Sequence, residues 1–173
     1  MTSHLWQTGQ VTCHAADGAP LPCLGSGQDA ELRVGEPWPA PRFATEGEVA
    51  RDRLTGLVWL RSADAANGLV TWDGALAAVA GLNQRRAAGR GDWRLPNLNE
   101  LESLVDTSRH SPALPAGHPF LAVRETYWSA TTSLYEPAWA WALYLAKGAC
   151  GVGQKKDPHF WAWAVSGGLV EAK

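Results

Sequence analysis

The sequence predicts an α+β domain, and three observations predict it. Two stretches with helical spacing, 71–86 and 97–106, follow one another in the middle of the chain. Strand-like stretches cluster after them, so helices and strands are grouped rather than alternating. The chain has 173 residues, one domain's worth, with 46% apolar and 18% charged residues, the balance of a globular chain with a core of its own.

Taken in order, residues 1–45 are rich in Gly and Pro and lack periodicity. They read as an irregular arm packed on the domain, anchored by Trp6, Trp38 and Phe43. In "RDRLTGLVWLRS" (51–62), the run Leu57 to Leu60 after Gly56 reads as a short strand. "TWDGALAAVAGLNQRR" (71–86) places Trp72, Leu76, Val79 and Leu82 three to four apart. Thr71 suits its N-cap and Asp73 its positive end. After the turn-rich "AAGRGDWRLP", "NLNELESLVD" (97–106) predicts a second helix, with Asn97 and Glu100 spaced as a capping box and Leu98, Leu101, Leu104 and Val105 facing inward. "HSPALPAGHP" (110–119) is a proline-broken loop. "TYWSATT" (126–132) is a strand, 138–147 a second, 148–159 a loop or hairpin with three glycines, and "FWAWAVS" (160–166) the last strand.

Ten tryptophans is a large number, and five lie between Trp128 and Trp163. Trp59, Trp72, Trp93 and Trp128 are expected in the core. The stretch "AWAWALYLAKG" (138–148) alternates strictly, as a half-buried strand does. Its period puts Trp139, Trp141, Leu143 and Leu145 on one face and Ala140, Ala142, Tyr144 and Ala146 on the other. The expectation is that Trp141 is buried and Tyr144 accessible, with Trp139 and Trp161 capping the core or standing at the rim of a binding face.

Little in the composition points to chemistry. The net charge is −2 and no basic stripe stands out, which argues against nucleic acid as a partner. No apolar run is long enough for a membrane span, and "MTSHLWQTGQ" has no basic and apolar leader, so no signal peptide is expected. Cys13 and Cys23 flank the short loop "HAADGAPLP", and an oxidising compartment would allow a disulfide between them. Two cysteines fill only half a tetrahedral metal site, so no metal is expected. Cys150 is left over, expected free, and without an orienting partner for catalysis. Glu100, Glu102 and Asp106 fit capping and a solvated face better than an acid cluster, since residues two apart on a helix point to different sides. Lys147, Lys155, Lys156 and His159 form a small cationic group that would suit sulfated glycans.

Several segments together resemble a known family: "RLTGLVWLRSA", "TWDGALAAVAGLN", "GDWRLPNLNELESLVD", "PALPAGHPF", "YWSATT", "AWALYLAKG" and the ending "AVSGG", with the earlier "TGQVTC…PC…GQD…PWPAPRF". The chain is similar to the Lcl C-terminal-domain family, found at the end of a collagen-like bacterial adhesin and in many other bacterial proteins. Members also occur as variable proteins of diversity-generating retroelements. The resemblance implies a C-type-lectin-like fold, two helices packed on antiparallel strands with much irregular loop, in a single domain 1–173 comprising the arm 1–45, a scaffold 46–132 and a variable, ligand-binding region 133–168. It implies a binding protein rather than an enzyme, with no cofactor. The partner is a macromolecule, a protein ahead of a glycan, at the cell surface or outside the cell, or on a phage particle. The alternative is a surface adhesin domain for sulfated glycans.

In the family pattern, Trp141, Leu143, Leu145 and Gly148 match the framework. The changeable, ligand-contacting positions implied are Leu134, Tyr135, Glu136, Ala138, Ala142, Tyr144, Ala146, Lys147, Ala149, Gly151, Gln154, Asp157, His159 and Phe160. Glu136-Pro137-Ala138 is similar to the Glu-Pro-Asn of calcium-dependent sugar-binding lectins, but Ala138 and the lack of a Trp-Asn-Asp partner leave too few oxygens, so no calcium-dependent sugar binding is expected. Arg90-Gly91-Asp92 spells an integrin-binding tripeptide, yet Asp92 and Trp93 belong to the family's "DWRLP", where turn formation and packing are the expected jobs. Many relatives end in Val-Arg-Gly-Gly where this chain has Val165-Ser166-Gly167-Gly168.

Overall fold

The computed structural model describes residues 5–168. The order is β1 (Cys13–His14), β2 (Pro20–Leu21), α1 (Asp29–Leu32), β3 (Phe43–Glu46), β4 (Val49–Asp52), β5 (Val58–Leu60), α2 (Trp72–Gln84), α3 (Leu98–Ser103), β6 (Thr126–Thr132), β7 (Trp139–Tyr144), β8 (Ala149–Gln154) and β9 (Val165–Ser166). The strands form a two-stranded sheet β1-β2, a four-stranded sheet β3-β4-β5-β9 and a three-stranded sheet β6-β7-β8, every named pair antiparallel. Mixed α and β with few helices is an α+β architecture.

Both expected helices form, and their caps explain where they start. The Thr71 hydroxyl accepts a hydrogen bond from the Gly74 N–H at 3.1 Å, and α2 then buries Ala75, Val79 and Leu82, one side of the helix. The Asn97 side chain accepts from the Glu100 N–H at 2.9 Å, while the Glu100 carboxylate accepts from the Asn97 N–H at 2.8 Å, a complete capping box. Glu100 also takes the Arg94 guanidinium, whose Nη2 donates to the Gly167 carbonyl at 2.7 Å. The helix start and the end of the described chain are thereby tied to one residue.

Two apolar clusters fill the interior, and the central strands face both. One holds Trp59, Leu101, Leu104, Leu114, Phe120, Tyr127, Leu143, Leu145 and Trp163. The other holds Val58, Leu60, Val79, Leu82, Trp93, Leu95, Trp128, Ala140, Ala142 and Phe160. Neighbours in sequence go to opposite clusters, as alternation along a strand requires: Val58 and Trp59, Tyr127 and Trp128, Ala142 and Leu143. The apolar run Leu57 to Leu60 is the signature of such a strand, buried on both sides. The segment 160–166 knits the sheets together. Trp161 bridges to Tyr127 beside β6, Val165 pairs with Trp59 in β5, and the Trp163 indole donates to the Leu60 carbonyl at 2.8 Å.

Several expectations change. The arm 1–45 is not wholly irregular: it carries the hairpin β1–β2, the short α1 and the start of β3, which pairs with β4. Its anchors are only partly covered, and Trp6 is exposed. The expected loop or hairpin 148–159 supplies the full strand β8, paired along its whole length with β7. The expected strand 160–166 is regular only at Val165–Ser166, because its remaining backbone bonds go to single partners such as Ala65, Leu60 and Arg94. Helix α3 stops at Ser103, short of 106. Trp72, expected in the core, is partly buried.

The largest revision concerns β7. Trp141 is half-buried, not core, while Ala140 and Ala142 are 0% exposed. The parity is as expected, but the alanine face is also an inner face. Ala142 stands directly opposite Trp128 on β6, and Phe160 packs on Trp128 with centroids 4.2 Å apart. Gly151 and Gly153 sit opposite Ala142 and Ala140 on β8. A Cβ on Gly153 would come within 2.3 Å of the Phe160 ring and 2.7 Å of Trp128, and one on Gly151 within 2.8 Å of Tyr144. The small residues form a floor on which three large rings lie. Alanine here is a volume requirement.

Cys13 and Cys23 form a disulfide with Cα atoms 5.3 Å apart. Asp92, in the Arg90-Gly91-Asp92 tripeptide, accepts from the Ser166 hydroxyl at 2.6 Å and pairs with Arg90, which also donates to Ser166 Oγ at 2.8 Å. The Ser166 hydroxyl holds the Asp92 carboxyl below the usual carboxylate range, aided by Arg90. Ser166 is fully buried, so its hydroxyl makes this anchor from inside the fold.

Candidate functional site

The β6–β7 connection is the most exposed apolar feature of the described chain. Leu134 is 91% and Tyr135 98% accessible, with Glu136 and Ala138 exposed beside them. The backbone beneath is fixed: the Ser133 N–H donates to the Trp139 carbonyl at 2.9 Å and the Trp139 N–H to the Glu136 carbonyl at 2.8 Å. A closed turn therefore presents two apolar side chains that nothing else in the fold covers. Scattered exposed apolar residues are ordinary; what sets this connection apart is that two adjacent ones stand on an ordered turn.

Next to this turn lies the end of β8. Gln154 closes the strand and Lys155 follows, with the Lys155 N–H donating to the Ala138 carbonyl at 2.9 Å. Tyr144, Gln154, Asp157, His159 and Phe160 line one shallow groove of about 350 Å³, together with Thr126, Trp139, Val152 and Gly153. Tyr144 is half-buried there. Its ring meets Phe160 edge-on at 5.6 Å, and its hydroxyl donates to the Val152 carbonyl at 3.1 Å. Gln154 and Ala138 also border a second depression of about 490 Å³ with Thr71, Asp73, Lys155 and Lys156. Five of the resemblance-implied residues thus share one groove and Ala138 adjoins it through Gln154.

Others stand elsewhere. Ala146, Lys147 and Ala149 surround the β7–β8 turn, at the opposite end of the hairpin from Leu134 and Tyr135. Ala146 borders a separate cleft of about 170 Å³ with Ser111 and Arg124. Gly151 faces the ring of Tyr144. Two are corrected outright: Ala142 and Phe160 are buried, because Ala142 lies under Trp128 and Phe160 closes the second cluster, so neither presents an open side chain. Phe160 reaches the groove only as part of its floor.

The cationic group is less free than its sequence suggests. The Lys155 ammonium donates to Thr132 Oγ1 at 2.8 Å and sits 4.2 Å from the Trp72 ring, and Lys147 lies 5.6 Å from the Tyr144 ring. Cys150 packs against the first cluster, and burial, with the Glu102 carboxylate beside it, pushes its thiol up to about 12. That thiol stays protonated at neutral pH and is a poor nucleophile. Among the described residues no group of three His, Cys, Asp or Glu side chains is placed to hold a metal ion, and no helix is long and apolar enough to cross a membrane.

Sequence reasoning did not name Thr126, Val152 or Gly153 as contacts and left Trp139 between capping the core and the rim of the binding face. The one signal for Val152 and Gly153 was the hairpin partner of β7, hidden by the glycines of 148–153. The family model of the Lcl C-terminal domain matches residues 48–166. No curated protein and no solved structure matches the chain.

Proposed function

The chain belongs to the Lcl C-terminal domain family, and from that premise we propose that it is a non-enzymatic display domain that binds a protein ligand outside the cell. Its fold in this reading is C-type-lectin-like. The binding surface is the exposed Leu134–Tyr135 turn with the adjoining groove at the end of β8, and the chain is the variable protein of a diversity-generating retroelement. The observation that carries the reading is that turn: two apolar side chains in solvent on a backbone closed by hydrogen bonds. A rigid base keeps a changeable surface in geometry, and a tyrosine supplies large contact area at low entropy cost.

The reading moves the changeable positions. Ala142, Gly151 and Gly153 support the rings of Trp128, Tyr144 and Phe160, so variation is concentrated at 134–138 and 154–159. Sequences from the same locus test this: differences gathered there with the small-residue floor constant support it, and equal variation of Ala142 and Gly153 overturns it. Binding tests it independently. In a screen against host surface proteins, Leu134→Ser with Tyr135→Ser weakens binding tenfold or more while Tm is unchanged, since exposed substitutions move stability by only about 0.5 kcal/mol. Unchanged affinity removes the turn from the surface.

The sulfated-glycan reading has weaker support, because Lys155 is engaged by Thr132 and Trp72.

A further inference from the structure

Resting on the ligand-binding reading above, we propose that the outer edge of β8 takes up an extended acidic segment of the partner protein as an added antiparallel or parallel strand. The argument begins with hydrogen-bond parity. The Leu145 N–H donates to the Glu125 carbonyl at 2.7 Å, which turns the odd residues of β7 toward β6 and its even residues toward β8. The Lys155 N–H to Ala138 carbonyl bond continues the ladder on the β8 side with the same parity. Gly151 and Gly153, opposite Ala142 and Ala140, therefore bond to β7, and Val152 and Gln154 turn their backbone groups outward.

Among the described residues no further strand lies on that side of β8. Among the described residues the Val152 and Gln154 N–H groups donate to no carbonyl or side chain, whereas the carbonyls of both are already engaged, by the Tyr144 hydroxyl and the Asp157 N–H. The open edge is consequently rich in donors, and it asks for acceptors. A polypeptide backbone supplies carbonyls at the strand spacing, the mode by which extended peptides add to sheet edges. The groove of about 350 Å³ runs past the same residues, Val152, Gly153 and Gln154, with room for a side chain against Tyr144 and His159.

Charge selects the kind of peptide. Lys155 is turned to Thr132 and Trp72, which leaves Lys147 and Lys156 against Asp157 along residues 147–159, a formal +2 − 1 = +1, in a chain whose net charge is −2. An acidic segment is drawn to this part of the surface and away from most of the remainder.

The test uses the full chain and a random heptapeptide library displayed on phage. The expected binders are acidic and β-prone, and they lose affinity by roughly tenfold for each peptide bond at alternate residues replaced by an alkene isostere, which removes the carbonyl acceptor that the edge donors require. Their binding slows exchange of the Val152 and Gln154 amides and leaves the β7 amides unchanged. Val152→Pro removes one donor and abolishes binding, while Val152→Thr retains it. Alkene-substituted peptides on the unaltered protein keep the test decisive where Val152→Pro fails to fold. Peptides that bind equally well with those carbonyls removed, a library that yields no binder, or a dimer of the chain that Val152→Pro dissolves would each overturn the proposal. Partner binding that needs Leu134 and Tyr135 but tolerates Val152→Pro would overturn it alone and leave the display reading standing.

Discussion

Ala140, Ala142, Gly151 and Gly153 make up one contiguous surface, and their lack of side-chain volume is what admits Trp128, Phe160 and Tyr144. A single added methyl has nowhere to go in a close-packed interior. Gly153→Ala places a Cβ 2.3 Å from the Phe160 ring, and we expect it to cost about 1–3 kcal/mol, read as a lower midpoint in urea unfolding. A midpoint equal to that of the unaltered protein would mean that the ring moves aside freely. Trp141 behaves in the opposite sense. It is half-buried, so its truncation is milder than that of fully buried Trp128. Alternation alone assigns residues to two faces and is silent on which face is covered. The bulk of the residues across the ladder decides that, and Trp128 could not be set opposite Ala142 before the register was known.

At the scale of elements, the helices were legible because their signals are local. Thr71 and Asn97 cap through residues three positions away, and the apolar spacing of α2 repeats over the whole helix. Removing the box with Asn97→Ala is expected to cost about 1 kcal/mol, visible as a Tm lower by several degrees and relieved in part by Asn97→Ser. No change of Tm would show that Arg94 alone fixes the helix start through Glu100. Strand β8 was harder to read because Gly151 and Gly153 look like turn residues, and only their partners on β7 show why glycine stands there. The same holds for β9 and for the hairpin β1–β2, two residues per strand, too short to carry a period. Of the candidate site, the position of Leu134 and Tyr135 between two strands was legible, but the groove joining Tyr144 to His159 depends on the 157–160 segment folding back across β8, which no local pattern encodes.

For the whole molecule, two buried acids set a limit at high pH. Cys150 is pushed up to about 12 by burial and by Glu102, and burial raises the Tyr127 hydroxyl as well. Both groups ionise more readily in the unfolded chain. The stability they contribute is fully present below about pH 9, where an unfolded thiol begins to ionise, and is lost as the pH rises toward 12. Tm is therefore expected to fall between pH 9 and pH 11 in a calorimetric series, and Cys150→Ala to flatten part of that fall. A flat profile in the unaltered protein would rule out the linkage.

The segment 160–166 has a consequence in time as well as in space. It places Trp163 in one apolar cluster, Phe160, Ala162 and Ala164 in the other, and Val165 beside β5. During synthesis it is the last of these pieces to leave the ribosome, so neither cluster closes while the nascent chain is still growing through it. Folding is then a late event, and a product halted before Trp163 has two open interiors instead of a smaller domain. Protein quality control can recognise such a product by its exposed apolar surface, and copies that present a finished Leu134–Tyr135 turn are those read through to the end of this segment.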